Sequence, residues 1–109
     1  LGYTFKADSD DVRDSLVPKL INSIIKENPK NITISDPFIT KEDLDLPYKT
    51  MFVSNYFQAI KNIDICFIGT NHSIYKKNNR KILKKLKLNK SSIVDIWNIL
   101  GTNNIFRKI

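Results

Sequence analysis

Two cations near the start of the chain, Lys6 and Arg13, are the residues best suited to binding chemistry, because they enclose a run of acids and hydroxyls. Lysine supplies a point charge and arginine a planar fork, and proteins use both to hold phosphate. The acids and hydroxyls can instead accept hydrogen bonds at the start of a helix, whose exposed N–H groups also bind anions. The segment therefore indicates either an anion site or a set of helix caps with which the cations pair. Its acceptors are Asp10, Asp11, Asp14 and Ser15.

An amphipathic helix is predicted directly after this segment, over residues 13–27. Pro18 is tolerated only in the first turn of a helix, which places the true start close to Asp14 or Ser15. The helical pattern stops at Asn28-Pro29. Its apolar positions form one broad stripe with helical spacing: Leu16, Val17, Leu20, Ile21, Ile24 and Ile25.

Three β-branched or apolar runs predict strands, and helical patterns separate them. Because strands that alternate with helices form crossover units, this order predicts a parallel sheet. The predicted fold is α/β: a Rossmann-like three-layer sandwich with a mainly parallel sheet flanked by helices, in a single domain over residues 1–109. Leu1-Gly2 is typical of the end of a further strand, which suggests a fragment of a longer chain. The predicted strands are 32–34, 63–68 and 92–96, and the predicted helices between them are 54–62 and 76–90.

A binding crevice is expected where the parallel strands end, since ligands of open α/β sheets bind at the carboxyl edge. The loops at that edge would bring cations and hydrogen-bonding groups together. No G-x-G-x-x-G and no Walker loop occurs in the sequence, so the chain is not by itself a standard dinucleotide or P-loop domain. The residues predicted to share the crevice are Lys6, Arg13, Asp36, Thr70, His72, Trp97 and Asn98.

The net charge of +7 is concentrated in one block, residues 76–90, which holds eight of the 18 basic residues and no acid. Ile82, Leu83 and Leu86 recur there at helical spacing, so the lysines are best explained as the solvated face of an amphipathic helix. Without interleaved aromatic residues, the block does not predict a partner nucleic acid.

Other function classes are excluded by what the composition lacks. One cysteine, Cys66, and one histidine cannot form a zinc cluster, so no metal site is expected. The sequence shows neither a secretory leader nor an apolar run long enough for a membrane span, and we expect a cytoplasmic protein. Cys66 lies within a predicted strand and should be a buried, inert thiol.

Several motifs, in order along nearly the whole chain, resemble one known family. Phe5-Lys6, Asp10-Asp11, Arg13 and Ser15 match the F-K-x-x-x-D-D-x-R-x-S pattern that opens the C-terminal domain of the UDP-glucose/GDP-mannose dehydrogenases. Later segments are similar to the family's Asp-Pro, T-x-H-x-x-Y/F and V-V-D-x-R-N motifs. These segments are Ile34-Ser35-Asp36-Pro37, Thr70-Asn71-His72-Ser73-Ile74-Tyr75, and Ile93-Val94-Asp95 with Asn98.

The resemblance implies an NAD-dependent enzyme that oxidises a UDP-sugar to its uronic acid for polysaccharide biosynthesis. In this family the C-terminal domain closes over the nucleotide sugar, whereas other domains hold most of the NAD and the catalytic cysteine. The fragment alone would then be inactive and carry no catalytic residue, and the parent enzyme would be a homodimer or larger. By matched position, Phe5 and Lys6 would contact substrate, and Arg13 would reach the NAD side of the cleft.

Two further positions leave alternatives open. Trp97 stands where many members have arginine, and it could stack on uracil or pack into the core beside Leu100, the interpretation we favour. His72 could bind substrate or be a structural residue at a strand-to-helix turn. The segment from Thr70 to Tyr75 is most similar to members that act on UDP-N-acetylhexosamines such as UDP-N-acetylmannosamine, although UDP-glucose and GDP-mannose stay open. A stand-alone nucleotide-binding module and a basic nucleic-acid-binding domain are the alternative functions.

Overall fold

The computed structural model describes residues 1–107 and confirms the α/β class, with short elements throughout. The helices are α1 (Val17–Ile25), α2 (Tyr48–Met51), α3 (Tyr56–Ala59), α4 (Ser73–Lys77) and α5 (Asn79–Leu88), with a 3-10 helix at Lys41–Asp43. The strands are β1 (Ile65–Phe67), β2 (Ser92–Val94) and β3 (Phe106–Arg107). None of the helices in the described part of the chain is long and apolar enough to cross a membrane.

The sheet of the described residues is mixed, with the order β1-β2-β3. Strand β1 runs parallel to β2, placing Cys66 beside Ile93, whereas β3 runs antiparallel to β2 and places Phe106 beside Val94. The prediction of a mainly parallel sheet is therefore wrong. The chain returns from β2 to β3 through turns at 95–105, and such a connection without a crossover helix produces antiparallel pairing. The three-layer Rossmann-like arrangement is not confirmed.

Two predicted strands pair over single residues only. The run at 32–34 forms an isolated parallel bridge between Ile34 and Phe52. Leu1 and Gly2 lie between two neighbouring segments, because Gly2 N donates to Ser35 O at 2.8 Å and Gly69 N donates to Leu1 O at 2.7 Å. Gly2 has φ +87°, and a Cβ there would stand 2.6 Å from Thr70 N, so this position requires glycine.

Helix α1 is shorter than predicted and begins at Val17. Pro18 occupies its first turn, as the sequence indicated, and Leu16 is the N-cap residue. Ser15 Oγ accepts a hydrogen bond from Val17 N at 3.2 Å and donates one to Tyr3 O. The link from Ser15 to Tyr3 ties the start of α1 to the segment that precedes Lys6.

Two apolar cores stabilise the fold. The first lies between the sheet and α5, where Ile82, Leu86 and Ile93 are buried. The lysine-rich block that supplies Ile82 and Leu86 is amphipathic as predicted, but it divides at Asn78 into α4 and α5. The second core lies under α1 and consists of Tyr3, Ile21, Ile34, Ile39 and Leu44.

A groove of about 810 Å³ runs beside α1. Leu20 and Ile24 of α1 line one side, and residues 31–35 and 64–67 form two further walls. Leu1 also lines the groove, and its terminal nitrogen lies 2.6 Å from Phe67 O.

Candidate functional site

The segment that carries Phe5 and Lys6 is a compact turn over residues 4–8, which we call the Lys6 turn. Thr4 is buried, and its carbonyl oxygen accepts a hydrogen bond from Thr70 Oγ1 at 2.8 Å, while its own hydroxyl donates to Lys6 O at 3.1 Å. Phe5 N donates to Asp11 O at 2.8 Å. Both Phe5 and Lys6 are exposed, Phe5 at 56%. The backbone of the turn is thus held on the inside while its two predicted substrate contacts face outward.

Asp36 anchors one end of the Lys6 turn from the interior. Its Oδ2 accepts hydrogen bonds from Tyr3 N at 2.7 Å and Thr4 N at 3.2 Å, and its Oδ1 accepts one from Phe38 N at 2.8 Å. His72 Nε2 lies 2.8 Å from the same Oδ2. Burial disfavours the charged carboxylate, but hydrogen bonds from His72, Tyr3 and Phe38 outweigh it and lower the pKa of Asp36. Asp36 is therefore a buried, ionised acceptor rather than a ligand contact.

His72 anchors the other end of the turn. Its side chain is fully buried, and its Nδ1 accepts a hydrogen bond from Asp8 N at 2.9 Å. The Asp8 carboxylate accepts hydrogen bonds from Ser73 N at 2.8 Å and from Ser73 Oγ. This burial argues against direct contact between His72 and a ligand, and it favours the structural alternative.

The guanidinium of Arg13 forms an ion pair with Asp11 in the loop before α1. Its Nε and a terminal nitrogen each lie 3.0 Å from a different Asp11 oxygen, while its side chain is 84% exposed. The hydrogen bonds from Arg13, followed by the positive charges of Arg13 and Lys6, lower the pKa of Asp11 to about 2. Both predicted cations therefore lie close enough to act on one carboxylate.

The prediction that the acids of this segment cap the helix is wrong. Helix α1 begins at Val17, beyond all three of Asp10, Asp11 and Asp14. Asp11 instead pairs with Arg13, and Asp14 lies in the left-handed backbone region at φ 58°. The shorter helix leaves residues 9–16 without regular secondary structure, and Asp11 pairs within this segment instead of capping the helix.

Trp97 lies outside the core, in a turn after β2, and is 47% exposed. Asp95 holds this turn, because its carboxylate accepts hydrogen bonds from Ile99 N at 3.0 Å and Leu100 N at 2.9 Å. Leu100 is buried in the core, but Trp97 does not pack into the core beside it, which is contrary to the favoured interpretation. Within residues 1–107, no hydrogen bond or ion pair links Trp97 to the Lys6 turn.

Sequence reasoning missed the residues that build the turn. The sequence indicates no role for Thr4, Asp8 and Ser73, and it predicts that Asp36 and Thr70 line a crevice, although their side chains are buried. Asp36 directly follows the predicted strand 32–34, and its position in the sequence fits a crevice acid and a buried anchor equally well. Cys66 is buried as expected, and burial raises the pKa of its thiol. Among the described residues, no group of three or more His, Cys, Asp or Glu side chains could hold a metal ion.

Comparisons with known proteins agree with the motif resemblance. The family model for the UDP-glucose/GDP-mannose dehydrogenase family, UDP binding domain, matches residues 1–102. The UDP-glucose 6-dehydrogenase of Rickettsia prowazekii (strain Madrid E) is 30% identical over 111 residues, which cover 100% of this chain and 25% of that protein. The UDP-N-acetyl-D-mannosamine dehydrogenase of Methanococcus aeolicus is 26% identical over 104 residues, which cover 94% of this chain and 22% of that protein. The chain thus spans about a quarter of the length of these relatives. No solved structure matches it.

Proposed function

Since this chain belongs to the UDP-glucose/GDP-mannose dehydrogenase family as its UDP binding domain, we propose that it binds and closes over the nucleotide sugar in an NAD-dependent 6-dehydrogenase. That enzyme oxidises a UDP-sugar to its uronic acid for polysaccharide biosynthesis in the cytoplasm. The observation that carries the proposal is the Lys6 turn, whose backbone is fixed by buried groups while Phe5 and Lys6 face outward.

In this proposal Lys6 supplies positive charge to the diphosphate-linked sugar. A cation held by a fixed turn needs little reorganisation when negative charge develops on the reacting sugar, and this favours the transition state. Phe5 contributes packing or backbone contacts beside it, and Trp97 offers an exposed ring face to uracil. His72 acts through the turn rather than by contact, because it is fully buried.

NAD would be bound mainly by domains outside this chain. Within this chain, Arg13 is the predicted cofactor contact. Its guanidinium is exposed beside Asp11, which fits one supporting contact with NAD. The bound cofactor supplies hydride acceptance. Arg13, oriented by the bidentate Asp11 pair, would hold a phosphate of the cofactor at the edge of the cleft.

We also propose that the chain is one domain of a longer enzyme, inactive alone, whose parent is a homodimer or larger. The coverage of about a quarter of each relative supports this. For the substrate, the segment from Thr70 to Tyr75 favours a UDP-N-acetylhexosamine.

Titration of the chain with UDP tests the binding function directly. Trp97 is the single tryptophan and is half exposed, so its fluorescence reports on a base that stacks on its ring. We expect a saturable change with UDP. In calorimetry, Trp97→Ala should weaken UDP binding by about 1–3 kcal/mol, the value of one base-stacking contact, while Trp97→Phe retains most of it. Absence of any saturable UDP binding would contradict the proposed function, whereas binding of polyanions without UDP would favour the nucleic-acid alternative.

Arg13→Ala, introduced into the full-length enzyme, tests the cofactor assignment. A lost hydrogen bond to a charged group costs about 1.5–3 kcal/mol, so the KM for NAD should rise at least about tenfold. The KM for the UDP-sugar should change little. Arg80→Ala on α5 removes the same charge elsewhere and serves as the control. An unchanged KM for NAD with unchanged turnover would show that Arg13 serves only its pair with Asp11.

A further inference from the structure

His72 is enclosed by three parts of the chain: the segment 36–38, Tyr75 of α4 and the Lys6 turn. Phe38 packs against its ring with centroids 4.7 Å apart, and Tyr75 packs edge-on at 5.5 Å. Polar contacts fill the remaining directions, with Asp36 on Nε2 and Asp8 on Nδ1. Since the ring is fully buried, any influence on a ligand has to pass through these neighbours.

The hydrogen bonds of His72 require one protonation form of the ring. Asp8 N–H is a donor, so Nδ1 must be the unprotonated acceptor, and the proton of the neutral ring lies on Nε2. That Nε2–H donates to Asp36 Oδ2 at 2.8 Å, with Thr4 Oγ1 also at 3.2 Å. The ring therefore acts as a donor towards one end of the Lys6 turn and as an acceptor towards the other.

These two bonds fix both ends of a five-residue turn. Asp36, which accepts the hydrogen bond from Nε2–H, also accepts those from Tyr3 N and Thr4 N at the entry to the turn. Asp8, which donates to Nδ1, closes the turn with φ 57°, a left-handed conformation that few residues other than glycine adopt. Without the acceptor at Nδ1, Asp8 would keep only its contacts with Ser73 to hold this conformation.

We infer that His72 is a positioning residue, whose two ring nitrogens hold the ends of the Lys6 turn so that Phe5 and Lys6 face the nucleotide sugar. This inference rests on the proposed function of the turn. Its physical effect is preorganisation: the ring keeps the turn in its competent conformation before the ligand arrives. If loss of one anchor reduces the competent fraction to about a tenth, the apparent Kd rises about tenfold.

Three variants separate the two anchors. The Oδ1 of His72→Asn falls where Nδ1 was and can still accept from Asp8 N, whereas the Nε2 of His72→Gln falls where the ring Nε2 was and can still donate to Asp36. His72→Phe retains the ring shape and neither bond. We expect UDP affinity to fall most in His72→Phe, by about tenfold or more, and less in His72→Asn and His72→Gln. This graded rescue is a result that general loss of core packing does not produce.

Ile82→Ala provides the matched control for lost stability. Ile82 is a fully buried residue of α5, and its apolar side chain forms no hydrogen bond with the Lys6 turn. It should lower the melting temperature without changing UDP affinity. In the full-length enzyme, the His72 variants should lower kcat/KM for the UDP-sugar while the KM for NAD stays constant.

The protonation form of wild-type His72 is measured independently by ¹⁵N NMR, which needs no variant to fold. We expect an unprotonated Nδ1 and a protonated Nε2. A ring protonated at Nδ1, or His72→Phe binding UDP as tightly as wild type, would overturn the inference and leave the proposed function intact. If wild type itself fails to bind UDP, the proposed function fails first.

Discussion

Replacement of Lys6 by alanine is expected to weaken binding of the nucleotide sugar about 10- to 100-fold with no loss of fold stability. The expected cost is that of one hydrogen bond to a charged group, about 1.5–3 kcal/mol, and about 1.4 kcal/mol corresponds to tenfold in affinity. Stability should change by less than about 0.5 kcal/mol, because the Lys6 side chain is exposed and makes no hydrogen bond or ion pair with residues 1–107. Calorimetric titration with UDP-sugar and urea denaturation measure the two quantities.

Two further variants make the Lys6 result specific. Lys19→Ala removes the same charge from an exposed position on α1 and should leave affinity unchanged, since general attraction between the basic chain and an anion would be lost equally in both. Lys6→Arg retains the charge but changes the donor geometry, so it should recover part of the affinity. Equal affinities for wild type and Lys6→Ala would remove Lys6 from the site.

The candidate binding segment could be proposed from sequence because its chemistry is local. Lys6, Arg13 and the acids between them are close in the chain, and the positive charges of both Lys6 and Arg13 lower the pKa of Asp11. The family resemblance found from Phe5-Lys6 onward is confirmed by the match over residues 1–102. The roles of Phe5, Lys6, Arg13 and Trp97 towards ligand stay predictions.

The anchors of the turn could not be predicted because they depend on contacts distant in sequence. Asp8 and His72 are 64 residues apart, and Tyr3 and Asp36 are 33 apart. A histidine after a strand reads equally well as a ligand contact or as a buried group, and only the fold decides. The prediction that acids cap the first helix was wrong for a related reason. Acids near a predicted helix suit capping, but Asp8 accepts a hydrogen bond from Ser73 and Asp11 pairs with Arg13.

Apolar patterns in the sequence predict where the strands lie but not the direction in which they run. Apolar runs located β1 and β2 correctly to within a few residues, since buried strands need continuous apolar sequence. Strand direction is set by the connection that follows, and no pattern at 95–105 distinguishes a tight return from a crossover. The antiparallel partner, β3, has exposed Phe106 and therefore carries no signal of burial.

Asp36→Ala is expected to destabilise the fold by about 3–5 kcal/mol, the cost of leaving buried polar partners unsatisfied. It removes the acceptor from Tyr3 N, Thr4 N, Phe38 N and His72 Nε2 at once. A domain of this size has only about 5–15 kcal/mol of total stability, so the variant should be close to unfolding. Urea denaturation measures the loss, and Asp45→Ala, an exposed carboxylate, is the control. A loss below about 1 kcal/mol would contradict the role of Asp36 as anchor.

The pH dependence of stability tests the same carboxylate without removing it. The pKa of Asp36 in the folded state lies below its ordinary value of 3.8, so the unfolded chain takes up the proton first as pH falls. The stabilisation is then fully present above about pH 4 and is lost as pH falls through the folded pKa. Asp36→Asn cannot take up this proton, so its stability should fall less steeply below pH 4 than that of wild type. Asp11, with a pKa of about 2, titrates with the same sign in both proteins, and the difference between their curves therefore isolates Asp36. Parallel curves would mean that the Asp36 carboxylate is no better stabilised in the folded turn than in the unfolded chain.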